Sequence, residues 1–207
     1  MTYASVVVPS TFPASSRPIY IYPTADMSRK NFPTSIAPMT TAIAKILANR
    51  TGRILIHTVS YDLNKALFTR LPAVRPIYTY SSTTGKQRAV DQYLTDPDAV
   101  LLAPSLDRGI DLPQDHCRHI VVPKIPFPSL GDHQVSKRLY STGGRLWYSV
   151  KTVRTLIQMT GRGFRSEDDQ CSSYILDKAF LTHIWKQSKH LLPEWWREAL
   201  RWDAGKL

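Results

Sequence analysis

Short apolar runs alternate along this chain with longer stretches in which apolar residues recur every three or four positions. Residues 53–58 are almost continuously apolar, as expected of a parallel strand covered on both faces. Strands are predicted at residues 18–22, 53–58, 77–80, 99–103, 119–122 and 172–176, the last expected to close the sheet. Helices are predicted at residues 35–50, 62–71 and 86–94, from about 134 to an interruption near 143, and from about 147 toward 163. The alternation predicts an α/β domain with a mostly parallel sheet and helices on both faces.

The two ends of the chain depart from this alternation. Residues 1–17 contain Pro9 and Pro13 and are predicted to form an extended leading segment, ahead of a domain at residues 18–190. Residues 191–207 are predicted to form a helical tail rich in tryptophan, with Trp195, Trp196 and Trp202. Such rings can stack on nucleic-acid bases, although they more often dock a terminal helix onto its own domain or a neighbour.

The chain is strongly basic. Its 207 residues include 27 lysines and arginines against 16 aspartates and glutamates, a formal net charge of +11. This balance favours a polyanionic partner, most simply nucleic acid, because bound cations displace the counterions condensed on it. A basic but otherwise ordinary surface would give the same count, so charge alone does not decide the function.

The cysteines and the hydropathy of the chain indicate which metal sites and which cellular compartment to expect. Cys117 and Cys171 stand far apart and outside any Cys-x-x-Cys or Cys/His cluster, so neither a zinc site nor an iron–sulfur cluster is expected. We expect both thiols to be buried and the protein to be cytoplasmic, or nucleoid-associated in a bacterium or phage. No apolar run approaches the roughly 20 residues that cross a bilayer, and no secretory signal is recognisable. A membrane is not an expected partner.

The segment at residues 158–165 has the layout of an arginine-finger segment. Gln158 and Arg162 are four residues apart and Arg165 follows three later, so a helix or its last turn puts all three on one side. One amide and two permanent cations suit a polyphosphate whose charge grows during transfer of its γ-phosphoryl group.

The chain nevertheless lacks its own phosphate loop. Gly85-Lys86 is the only Gly-Lys pair besides the terminal one, and no glycine precedes Gly85 by five residues. No acidic box that would bind Mg²⁺ is recognised either. The simplest inference is half of a motor, with the nucleotide held by another domain.

Three further segments are ambiguous when taken singly. Thr58 and Ser60 suit phosphate contacts at a helix N-terminus, although Ser60 can equally cap the helix. Within residues 105–113, Gly109 permits close backbone approach and Asp111 can bind a water, an arginine or a ribose, or simply form a turn. Ser105 can bond a phosphate oxygen. In the stiff connection at residues 123–128, Lys124 and Phe127 are placed to meet a strand, or Phe127 is buried.

In this order the segments resemble the second RecA-like motor domain of superfamily-two DNA helicases of the XPD/DinG type. Residues 57–61 are similar to motif IV, 105–113 to motif V and 158–165 to motif VI, and residues 124–128 to the Lys-x-Pro-Phe stretch between the last two. The similarity covers about residues 10–180. One departure is Arg108, which stands where the family usually has a glutamate before the motif V glycine.

The resemblance implies a site shared with a missing N-terminal RecA-like domain, supplied in cis by a longer protein or in trans. ATP and Mg²⁺ would lie between the two domains, with single-stranded DNA running across both. The ATP-binding residues implied are Gly109, Asp111, Gln158, Arg162 and Arg165, of which the last three are catalytic, and the DNA-binding residues are Thr58, Ser60, Ser105 and Lys124. The isolated chain is expected to be inactive as an ATP hydrolase. A stand-alone nucleic-acid-binding module and half of an RNA helicase remain alternatives.

Overall fold

The computed structural model of the protein describes residues 10–104, 112, 114–164 and 169–202. Within these residues the strands are β1 (Ile19–Ala25), β2 (Ile54–His57), β3 (Ile77–Thr79), β4 (Val100–Ala103), β5 (His119–Val122), β6 (Ser172–Asp177) and β7 (Leu200–Arg201). The helices are α1 (Phe32–Asn49), α2 (Tyr61–Arg70), α3 (Thr83–Thr95), α4 (His133–Leu139), α5 (Gly144–Thr160), α6 (Lys186–Ser188) and α7 (Glu194–Glu198). None of the described helices is both long and apolar enough to cross a membrane.

The strands form one sheet in the order β3-β4-β2-β5-β6-β1-β7, and every recorded pairing between neighbours is parallel. Central strand β2 is buried along its whole length, which explains its nearly continuous apolar sequence. Two apolar clusters cover the sheet. Helices α3 and α5 contribute to one of them, and α1 and α2 contribute to the other. The predicted α/β fold with a parallel sheet and helices on both faces is therefore confirmed.

The prediction that β6 closes the sheet is wrong. Strand β6 lies inside the sheet between β5 and β1, and the edge beyond β1 is formed by β7. A strand of two residues has too few positions to show an alternating pattern, so sequence reasoning extended the helical tail across it. The tail helix α7 is accordingly short, and residues 180–191 reach it through a π-helical turn, α6 and a 3₁₀ turn.

The leading segment and the tail are tied to each other. The described part of the leading segment turns back, with the Ser16 amide donating to the Pro13 carbonyl over 3.1 Å. The buried guanidinium of Arg17 donates to the carbonyls of Phe12 and Trp195, over 3.0 and 2.6 Å. Trp196 is fully buried in the same cluster as α5. The tail thus packs on its own domain, the commoner of the two uses expected for its tryptophans.

Candidate functional site

The end of α5 presents the first half of the predicted arginine-finger segment. The helix ends at Thr160, and a turn follows at residues 161–163. Gln158 is exposed on the last helical turn, and Arg162 is half-buried in the turn that follows. These two residues are therefore brought to the same end of one helix, as their spacing predicts. Arg165 lies outside the described residues.

Gly163 fixes how closely this turn approaches the sheet. A Cβ atom at Gly163 would lie 2.5 Å from Sγ of Cys171 and 2.9 Å from the carbonyl oxygen of Cys117. No side chain fits there, so the glycine lets the turn pack directly on the segments that lead into β5 and β6. Both thiols are buried, as expected, and burial is the main cause that raises the pKa of Cys171.

His57 lies at the carboxyl end of β2, close enough to Arg162 for the two to interact electrostatically. Its side chain is 1% exposed, and neither ring nitrogen has a hydrogen-bond partner. Burial first, and the positive charge of Arg162 second, lower the pKa of His57 to about 3. The imidazole is therefore neutral at physiological pH. The sequence analysis placed His57 in the segment similar to motif IV without giving it a role. Its burial beside Arg162 could have been suspected from one feature, a polar residue at the end of an apolar strand.

A polar network fixes the loop after β2. The buried hydroxyl of Thr58 donates to Oδ1 of Asn64 over 3.2 Å, and Nδ2 of Asn64 donates to the hydroxyl of Thr79 over 2.6 Å. The Thr58 amide donates to the Ala103 carbonyl over 3.0 Å. The Thr58 side chain is thus engaged inside the protein, where it joins the ends of β2 and β3 through α2. Asn64 was not singled out from the sequence, where it is one polar residue in an amphipathic helix.

The next two residues turn the chain into α2. Val59 adopts a left-handed backbone conformation, with φ of 64°, which is uncommon for a β-branched residue and is found more often at functional sites. Ser60 then caps the helix, its hydroxyl accepting from the Leu63 amide over 3.3 Å. The capping role of Ser60 is confirmed, and its half-buried position leaves it at the protein surface.

Lys124 follows the neighbouring strand β5 and is also half-buried. Since β2 and β5 pair in parallel, the residues after their carboxyl ends lie at the same edge of the sheet. Ser60 and Lys124 are thereby brought to one edge. Ser105, Gly109 and Asp111 lie outside the described residues, as does Arg108.

A buried carboxylate organises this edge. Asp177, the last residue of β6, accepts the amides of Met27, Ile125 and Ala179 over 3.3, 2.9 and 3.0 Å. It therefore connects the loops that follow β1, β5 and β6. Burial raises the pKa of Asp177, and these amides oppose that shift. Its position in sequence, a charge at the end of an apolar strand, was the available signal for this role.

No candidate metal site is present in the part of the chain that the structure describes. That part contains no group of three or more histidine, cysteine, aspartate or glutamate side chains placed to hold a metal ion. The candidate residues are an amide, cations and a hydroxyl, which are side chains that suit the oxygens of an anion.

The helicase C-terminal domain family matches residues 43–199 of this chain. The chain belongs to this family. The ATP-dependent DNA helicase CHL1 of Vanderwaltozyma polyspora is 24% identical over 161 residues, which are 67% of this chain and 19% of that protein. The regulator of telomere elongation helicase 1 homolog of Aedes aegypti is 26% identical over 176 residues, which are 70% of this chain and 17% of that protein. This helicase C-terminal domain thus spans about a fifth of the length of either relative.

Solved structures show the same fold. S. tokodaii Xpd4 superposes with a TM-score of 0.67 at 16% identity, covering 99% of this chain and 42% of that one. The C-terminal domain of the DEAD-box protein Dbp5 superposes with a TM-score of 0.54 at 14% identity, covering 86% and 85% of the two chains. The predicted RecA-like fold and the resemblance to the second motor domain of XPD-type helicases are confirmed.

Proposed function

We propose that this helicase C-terminal domain is the second motor half of an ATP-dependent DNA helicase. ATP and Mg²⁺ are held mainly by a first RecA-like domain, and Arg162 and Arg165 reach the γ-phosphate across the cleft between the two. Gln158 senses that phosphate, and Gly109 and Asp111 line the nucleotide site.

The observation that carries this proposal is the arrangement at the end of α5. Gln158 is exposed and Arg162 follows in a turn that Gly163 packs against the sheet. A guanidinium carried by a closely packed turn is suited to stabilise charge that develops on a phosphoryl group, because little reorganisation is needed during reaction. The neutral imidazole of His57 adds no competing charge beside Arg162.

The proposed DNA-binding surface lies at the carboxyl edge of the sheet. Ser60 follows β2 and Lys124 follows β5, and Ser105 comes two residues after β4, the other neighbour of β2. In this proposal the three residues contact successive phosphates of a single strand. Thr58 contributes by holding the loop, since its hydroxyl is bonded to Asn64.

ATP turnover with and without Arg162 tests the proposal. The chain is joined to the first motor domain of a helicase of this family, and single-stranded DNA is added. An arginine finger contributes roughly 10³–10⁵ in rate, so Arg162→Ala should reduce turnover by at least about a hundredfold and leave DNA affinity intact. Arg70→Ala, at an exposed position of α2, is the matched control. Normal turnover by the Arg162→Ala protein would show that the finger is assigned to the wrong residue.

A further inference from the structure

Helices α4 and α5 form a hairpin with an exceptional charge distribution. Residues 133–166 contain seven of the chain's lysines and arginines and none of its aspartates or glutamates. The five of these cations that lie on the two helices are all exposed, namely Lys137, Arg138, Arg145, Lys151 and Arg154. The salt bridges recorded among the described residues, Arg75–Asp98 and Arg118–Asp115, involve none of them. The hairpin is therefore a concentrated patch of positive charge.

Aromatic rings are interleaved with these cations. The Arg138 guanidinium lies 4.5 Å and the Lys151 ammonium 6.0 Å from the centre of the Trp147 ring. Tyr140, in the turn between the helices, is 80% exposed. Contacts with these cations restrict the orientation of the indole, which lowers the entropy lost when another ring stacks on it.

The exposed face of α5 leads from this indole toward the arginine-finger segment. Trp147, Lys151, Arg154 and Gln158 follow one another at helical spacings of four, three and four residues, so they lie on one stripe. The opposite face of the helix is buried in the core. The stripe thus connects the hairpin to the residue that we place at the nucleotide cleft.

The hairpin also adjoins the carboxyl edge of the sheet. Phe127, which follows β5, stacks on Tyr148 of α5 with ring centroids 6.0 Å apart and planes 9° apart. His183, in the segment after β6, meets Phe127 edge-on at 5.5 Å. The Tyr148 hydroxyl donates to the Pro128 carbonyl over 2.9 Å. These contacts attach the first half of α5 to the loop that carries Lys124.

We propose that the α4–α5 hairpin is a second binding surface for single-stranded DNA, on which an unpaired base stacks against Trp147 while Lys151 and Arg154 contact phosphates. This inference rests on the proposed function, since it extends the strand beyond Ser60 and Lys124. Cations interleaved with aromatic rings that reach the surface, as Tyr140 and half-buried Trp147 do, are the combination by which proteins hold single strands without reading their sequence. An acidic protein surface would match the charge but would leave the aligned indole unexplained.

Binding of the 207-residue chain to labelled oligothymidylate, followed by fluorescence anisotropy, tests the inference. Stacking on an aromatic side chain contributes about 1–3 kcal/mol per base, or roughly 5- to 150-fold in affinity. Trp147→Ala should weaken binding by a factor in this range, and Trp147→Phe should retain most of it. Phe68→Ala, which removes an aromatic ring of 48% exposure from α2, should change nothing. Thermal unfolding of each variant checks that the fold is kept.

Two further comparisons separate stacking from charge. An abasic strand of the same length keeps its phosphates, so it should bind wild type and Trp147→Ala equally. Lys151→Glu with Arg154→Glu should lower the salt dependence of binding, since each lost phosphate contact reduces the slope by about 0.7 on a single strand. Lys65→Glu with Arg70→Glu, the same charge change on α2, should have a smaller effect.

The inference is overturned if wild type does not bind oligothymidylate, or if Trp147→Ala and Phe68→Ala bind it equally. It is also overturned if the charge-reversed hairpin loses affinity for the first motor domain but keeps its affinity for DNA, which would identify a protein surface. None of these results changes the effect of Arg162→Ala on ATP turnover, so the failure of this inference is distinguishable from failure of the proposed function.

Discussion

The indole Nε1 of Trp196 donates a buried hydrogen bond of 2.8 Å to the hydroxyl of Thr160. Thr160 is the last residue of α5 and stands two positions before Arg162, while Trp196 belongs to the tail. The Thr160 hydroxyl in turn donates to the Leu156 carbonyl over 3.2 Å. The tail therefore braces the end of the helix that presents the proposed arginine finger.

Replacing Trp196 by phenylalanine should destabilise the domain by about 2 kcal/mol. The variant loses the hydrogen bond and part of the buried ring, and loss of a buried hydrogen bond typically costs about 1–3 kcal/mol. A domain of this size loses roughly 2–4 °C in melting temperature per kcal/mol, and calorimetry would measure the change. Trp202→Phe is the control, because that ring is 45% exposed. Equal losses in the two variants would contradict a bracing role for Trp196.

Gly163→Ala should displace the turn that carries Arg162. The new methyl group would lie 2.5 Å from Sγ of Cys171 and 2.9 Å from the backbone of Cys117, and such overpacking costs about 1–3 kcal/mol. Urea unfolding measures the loss, and ATP turnover of the joined protein should fall as well. Gly131→Ala serves as control, since its nearest neighbour would be Ser129 Oγ at 3.5 Å. Unchanged stability in the Gly163 variant would mean that the turn has more room than the structure shows.

The hydrophobic pattern was sufficient to predict the central parallel strands of the sheet but not the strand at its edge. Buried strands such as β2 show almost unbroken apolar runs, so their type and position follow from the sequence. Helix α1 begins earlier than predicted, at Phe32, because Pro33 is favoured in a first helical turn. Strand β7 carries no such signal, since its two residues join the sheet only through pairing with β1.

The relative position of two candidate residues could be predicted because it follows from their spacing. Gln158 and Arg162 are separated by one helical turn, which is visible in the sequence. The partners of Asn64 and Asp177 lie in loops that are distant in sequence, so their contacts could not be predicted, although Asp177 stands out as a charge at the end of an apolar strand. The same limit applies to Thr58, whose residue type suits a phosphate contact but whose hydroxyl is bonded inside the fold.

Asp177→Ala should destabilise the domain by at least about 3 kcal/mol. The change leaves three backbone amides without their acceptor, and each unsatisfied buried donor costs about 1–3 kcal/mol. Asp132→Ala is a matched control, because Asp132 also accepts two backbone amides, at the start of α4, but is exposed. That variant should lose only about 1 kcal/mol, the usual value for a helix N-cap. Similar denaturant midpoints for the two variants would show that Asp177 does not organise the edge.

The neutral state of buried His57 should make the domain less stable in acid. Its pKa is about 3 in the folded protein and about 6.5 in an unfolded chain, so between these values only the unfolded state binds the proton. The contribution of His57 to stability is therefore complete above pH 6.5 and decreases as the pH falls toward 3, by up to about 1.4 kcal/mol per pH unit. Urea unfolding between pH 4.5 and 7 should show a shallower slope for His57→Leu than for wild type. The opposite shift of Asp177 is common to both proteins and cancels in the comparison. Identical slopes in wild type and His57→Leu would show that His57 is protonated in the folded state.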